Sequence, residues 1–161
     1  MIGVNTMIYS PSGGSVGIGF ATPIETARRV VPQLIAYGEV IRGWIDISPV
    51  QLQPQLVRHA NLSVERGILV SRVATGGEAE KAGIRGGKRT ESVRWGRELI
   101  YLGGDIIINI GGTPVESISD YFGALETTAP GEIIGITVVR GDRRLSMDVI
   151  LTDRPENLYG E

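Results

Sequence analysis

The chain has 161 residues, a formal net charge of −2 and 42% hydrophobic residues, enough for one compact domain or one domain plus a fragment. The near-neutral balance gives no electrostatic reason to expect nucleic acid or an anionic membrane surface as the main partner. Cysteine is absent, which excludes disulfides and cysteine-based metal sites but leaves the compartment open; no run is apolar enough to span a bilayer, and no cofactor or metal is expected.

The first residues, "MIGVNTMIYSPSGG", lack a basic region and a sustained apolar run, so no secretory signal is visible. Met1 leads directly into strand-like sequence, as in a piece excised from a longer protein. "IGVNTMIY" alternates apolar with small or polar residues and reads as a strand. "PSGGS" is a turn and "VGIGFAT" a second strand. A helix is expected over Pro23–Tyr37, capped by Thr22, with Pro23 in its first turn and Gly38 as its stop. Ile24, Ala27, Val31, Leu34 and Ile35 share one face, and Pro32 is a potential kink. "VIRGWIDIS" is extended. "VQLQPQLVRHANL" is a short helix interrupted by proline. "GILVSRV" is a strong β run, and "EAEKAGI" a short helix entered from a Gly-Gly turn. Residues 87–103 read as an inserted hairpin turning at Trp95-Gly96. "DIIINIGGTPV" is a buried strand followed by a Gly-Gly turn. "SISDYFGALETTAPG" is an amphipathic helix starting at a Ser or Asp cap and running from Ser119 to Thr127, "EIIGITVVRGDRRLSMDVIL" is a hairpin turning at Gly141-Asp142, and the tail is polar. Five or six short strands with two short helices make a mainly β domain with short helices.

These pieces together resemble the HtrA/Deg family of trypsin-like serine proteases. "IGVNTMIYSPSGGSVGIGFATP" is similar to the last strands of that family's protease barrel. The next helix and "RGWIDI" resemble its linker and the opening of its PDZ domain. "GILVSRVATGGEAEKAGIRGG" and "GGDIIINIGGTPVESISDY" resemble the PDZ body. The resemblance implies a remnant hairpin and linker helix over 1–38, a circularly permuted PDZ domain built as a partly open barrel or sandwich over 39–155, and a tail over 156–161. It also implies a bacterial envelope or periplasmic location.

Ser12 invites a reading as a nucleophile, since Ser12-Gly13-Gly14 mimics a trypsin-like Ser-Gly-Gly. Nucleophilic catalysis needs a histidine base, a carboxylate to orient it and an oxyanion hole. His59 is the single histidine, and it falls in the PDZ-like part. Proline precedes Ser12, where the family's nucleophile motif has asparagine after a leading glycine. By the resemblance, the true nucleophile precedes Met1, and Ser12, Gly13, Gly14 and Ser15 belong to the specificity-pocket loop. This chain is therefore expected not to be an enzyme, although its parent is a serine endopeptidase.

PDZ domains bind by adding a peptide strand to a sheet edge while successive amides hold its terminal carboxylate. The resemblance places the carboxylate loop at "GWIDI". Trp44 and Ile45 line the pocket for the last side chain, Ile47 the strand wall, and Phe122 and Leu125 the opposing helix wall. The family has glycine where this chain has Asp46. Two like charges about 4 Å apart near a surface cost about 4 kcal/mol before screening, roughly half of a micromolar affinity of about −8 kcal/mol. Either Asp46 points to solvent, or the domain prefers internal and unfolded segments to free C-termini. "WIDI" as a plain core strand is the third alternative. The 87–103 hairpin, with Lys88, Arg89, Arg94, Trp95 and Arg97, is either a solvated hairpin or a contact to a partner subunit or acidic substrate. The expected partners are peptide or unfolded-protein segments and the parent's protease domain. A homo-oligomer, with this domain as an assembly module, is the alternative; peptidase activity in this chain ranks last.

Overall fold

The computed structural model describes residues 3–8, 19–96 and 98–153. The Ser12–Ser15 loop and the tail over 156–161 lie outside the described residues, and so does Arg97. The chain divides into two compact units between Ile41 and Arg42.

The first unit holds β1 (Gly3–Ile8) and β2 (Gly19–Pro23), an antiparallel pair with a register shift between Asn5 and Met7, followed by α1 (Ile24–Tyr37). Thr22 lies in β2, so it does not cap α1. The cap position is Pro23, whose side chain makes no capping bond. The helix runs through Pro32, so the missing N–H costs one ladder bond without ending it. Gly38 ends it at φ 78°, with its amide 3.0 Å from the Leu34 carbonyl, because a left-handed residue there is cheapest as glycine. Val31, Leu34, Ile35 and Tyr37 are all exposed.

The second unit opens with β3 (Gly43–Trp44), β4 (Ile47–Gln51) and α2 (Pro54–His59). Pro54 does not interrupt a longer helix, as the sequence suggested; it starts this one, where its missing N–H has no intrahelical partner to lose. Next come β5 (Ile68–Val73), α3 (Glu78–Lys81), β6 (Lys88–Trp95), β7 (Glu98–Leu102), β8 (Ile106–Ile110) and β9 (Thr113–Pro114). The unit closes with α4 (Ile118–Leu125), β10 (Ile133–Arg140), β11 (Arg143–Ile150) and β12 (Thr152–Asp153). The strand count exceeds the expected five or six; three of the strands, β3, β9 and β12, are two-residue strands too short to show a period.

The main sheet runs β11-β10-β8-β5-β4, with β9 paired to β8. The sheets are open and do not close into a barrel. Both faces of the main sheet are covered, which is why "GILV" reads as a continuous apolar run. Ile68 and Val70 point into a core with Ile107, Ile136, Val138, Tyr121 and Leu125. Leu69 points the other way, into a smaller core with Leu56 from α2 and Ile100 from the β6–β7 hairpin. The inserted hairpin thus lays its apolar side on the sheet, while Lys88, Arg89 and Arg94 stay exposed.

Candidate functional site

Among the described residues β4 ends the main sheet, so one of its edges has no strand partner there. Its register with β5 shows which groups face outward. The Leu52 amide bonds the Gly67 carbonyl, and at the other end the Ala74 amide bonds the Asp46 carbonyl. A residue's N–H and C=O point to the same side, and sides alternate along the strand. Counting inward from Leu52 places Ile47, Pro49 and Gln51 on the outward edge; Asp46 lies in the bend before the strand, where this alternation no longer holds. The irregularity between Ser48 and Pro49 adds its extra residue, Ser71, to β5 and leaves the alternation along β4 unbroken.

α4 lies beside β4. Its start is fixed by a capping box: the Asp120 amide donates to Ser117 Oγ at 3.2 Å, and the Ser117 amide donates to Asp120 Oδ2 at 2.9 Å. Both bonds satisfy amides that a helix start leaves without partners. The Ile118 amide has a more distant acceptor, Gln51 Oε1, at 3.0 Å. A β4 side chain therefore ties strand to helix at this end.

At the other end the strand and helix meet through aromatic rings. Trp44 and Phe122 stack with centroids 5.9 Å apart, and Tyr121 meets Phe122 edge-on at 5.3 Å. A cleft of about 160 Å³ opens there, lined by Arg42, Gly43, Trp44, Phe122 and Leu125. Phe122 is 44% exposed and Trp44 5%, so this end presents an apolar, half-open surface. Arg42 sits at its rim, 3.7 Å from Glu126, with its Nε buried and without a hydrogen-bond partner among the described residues. Among the described residues the amides of Ile45 and Asp46 meet no acceptor. The Ile47 amide is turned onto the Ile45 carbonyl at 2.7 Å.

The Asp46 carboxylate faces α3. Its Oδ1 accepts the Ala79 amide at 2.8 Å. A Cβ built on Gly77 would lie 1.6 Å from Asp46 Oδ2, so the aspartate and the glycine fit only together. Tyr121 is fully buried, and its hydroxyl meets no partner among the described residues. Burial pushes that phenol upward, and the negative charge of Asp46 adds to the shift.

The structure therefore brings Trp44, Phe122 and Leu125 together around one cleft. It sends the side chains of Ile45 and Ile47 into the core beneath, where they fix the backbone that carries the loop amides. Sequence reasoning included Gly43 only as part of the loop and did not single out Arg42, Pro49 or Gln51. Arg42 had a signal, a cation beside an expected anion site. A Cβ on Gly43 would lie 2.5 Å from the Leu151 side chain, a closeness that sequence spacing does not reveal. Among the described residues no cluster of acidic or histidine side chains is arranged to hold a metal.

The PDZ domain family matches residues 45–151. The similar proteins include the periplasmic pH-dependent serine endoprotease DegQ of Escherichia coli (strain K12), 35% identical over 151 residues, 94% of this chain and 30% of its own length. The chloroplastic protease Do-like 1 of Arabidopsis thaliana is 36% identical over 157 residues, 97% of this chain and 33% of its own length. Among solved structures, the HtrA-type protease AlgW with decapeptide matches at a TM-score of 0.70 and 32% identity, covering 96% of this chain and 42% of that one. The chain thus spans no more than about a third of the length of these curated relatives. It belongs to the PDZ domain family, in the form carried by HtrA/Deg-type serine proteases.

Proposed function

We propose that this chain is the peptide-recognition module of a longer serine endopeptidase, and that it docks apolar C-terminal segments along the outward edge of β4. The observation that carries the reading is the coincidence of three features at one end of that edge: the amides of Ile45 and Asp46 without acceptors, the cleft between Trp44, Phe122 and Leu125, and the Arg42 guanidinium. Amides and a cation suit a carboxylate, and the apolar cleft suits the side chain next to it. Asp46 weakens the objection to an anion here, because its carboxylate is committed to the start of α3. Hydrolysis belongs to a part of the parent outside these residues, and the relatives' periplasmic setting is the compartment we assign. Among the described residues no helix is long and apolar enough to cross a membrane.

The test is calorimetric titration with an apolar C-terminal peptide and its amidated copy. The free acid is expected to bind at least about tenfold tighter, the order of one charge-assisted hydrogen bond. Equal affinity removes carboxylate capture from the account. Casein incubated with the chain alone is expected to remain intact.

A further inference from the structure

β4 is a donor-poor edge. Of its three outward residues, Pro49 has no N–H to give, and the Ile47 amide is turned onto the Ile45 carbonyl. The third, Gln51, spends its side-chain oxygen on the Ile118 amide and ties the groove to α4. Carbonyls remain along the edge, but amides are scarce.

The direction of a docked strand follows from the position of the open amides. Ile45 and Asp46 precede β4, so a chain whose carboxylate sits on them runs antiparallel to β4. In an antiparallel pair, facing residues exchange two N–H···O bonds at alternate positions. If the ligand's last residue faces Ile47, its third-last residue faces Pro49. That residue donates its N–H to the Pro49 carbonyl, but its own carbonyl finds no donor in return.

We propose that Pro49 is a specificity-determining residue of this groove: it removes the return bond to the ligand's third-last residue and concentrates recognition on the terminal carboxylate and the last side chain. The proposal rests on the peptide-docking reading above and adds the length of chain the groove reads. The same proline protects the sheet edge, because a strand from another copy meets the same missing donor.

The experiment compares two ligands on three proteins. One ligand is an apolar C-terminal pentapeptide. The other carries an E-alkene in place of the peptide bond between its third-last and second-last residues, which deletes the carbonyl that faces Pro49. The proteins are the unaltered chain, Pro49→Ala and Pro49→Thr, each checked for an unchanged fold by circular dichroism. The unaltered chain is expected to bind both ligands within about twofold, because no bond is lost. Both variants supply an N–H and are expected to bind the amide ligand about fivefold tighter than the unaltered chain does, the order of one net hydrogen bond. Their affinity for the alkene ligand stays where it was. A fivefold loss on alkene substitution in the unaltered chain, or no gain in either variant, overturns the role of Pro49 and leaves the docking reading standing. Failure of every protein to bind either ligand overturns the docking reading and this proposal with it.

Discussion

Asp46 and Asp105 hold α3 from opposite ends, and they do so in different ways. Asp46 accepts the Ala79 amide at the start of the helix. Asp105 accepts the Arg85 amide just beyond its end. Asp105 is 1% exposed and is gripped by the Arg140 guanidinium through two bonds of 2.7 Å, and the same guanidinium reaches the Gly83 carbonyl at 2.7 Å. This pairing holds the Arg140 guanidinium above its usual pKa, the hydrogen bond to Asp105 being the main cause. Among the described residues the Asp46 carboxylate has a single amide and no guanidinium fork, and it lies in the loop beside the proposed groove. Buried ion pairs are costly to break from one side, whereas a partly exposed carboxylate on one amide is adjustable. The difference separates framework from candidate site: Asp105 secures the packing of α3, and Asp46 turns its charge onto α3 from the loop beside the proposed groove.

Asp105→Ala tests the framework side and has the largest expected effect. It leaves the Arg85 amide unpaired and the partly exposed Arg140 guanidinium with only the Gly83 carbonyl, and urea unfolding should show a loss of about 3 kcal/mol, the lower end for a broken buried pair. Asp46→Ala should lose only about 1 kcal/mol in the same measurement, one capping bond. Equal losses at the two positions would break the comparison. Asp46→Asn keeps an oxygen for the Ala79 amide and removes the charge. Affinity for a free-acid peptide should rise about threefold, the size of a screened surface charge pair, and its salt dependence should weaken. An unchanged affinity means the carboxylate is electrostatically silent at the groove. Tyr121→Phe removes a buried hydroxyl that has no partner among the described residues, so stability should stay level or rise by up to about 1 kcal/mol. A clear loss would reveal a partner for that hydroxyl.

The smallest effect concerns acid. The Ser117 hydroxyl and then the Glu116 amide hold the Asp120 carboxyl below the usual carboxylate range. A lowered carboxyl pKa contributes stability that is full above the unfolded value and is lost as pH falls through the folded one. Asp120→Asn should therefore flatten the acid limb of a melting-temperature profile and leave the alkaline limb unchanged.

Much of the fold was legible because its signals are local and periodic. "GILV" announced a strand covered on both faces. Gly111 and Gly112, both at positive φ, announced the turn between β8 and β9. The serines and aspartate of "SISD" announced a capped helix start, although the helix begins at Ile118, one residue before the Ser119 start the sequence suggested, with Ser117 as its cap. The candidate site was legible only through its apolar residues: Trp44, Phe122 and Leu125 are conspicuous in the sequence, and they line one cleft. What stayed hidden depends on pairing across the chain. That the Pro49 ring lies on the outward edge follows from the register with β5, and no spacing within "ISPVQ" reveals it. Gln51 looks like any polar strand residue until the Ile118 amide arrives from 67 positions away. The direction of Asp46 needs Gly77, whose missing Cβ makes room for it. Thr22 misled because capping propensity is a local preference, and pairing with β1 overrode it.

The most direct test of the central claim is a backbone amide NMR titration with an apolar C-terminal peptide. The account predicts that the largest shifts fall on the amides of Ile45, Asp46 and Ile47 and along Tyr121–Leu125, with little change at Lys88–Leu102. Shifts centred on that hairpin, with the 45–47 amides unmoved, would contradict it.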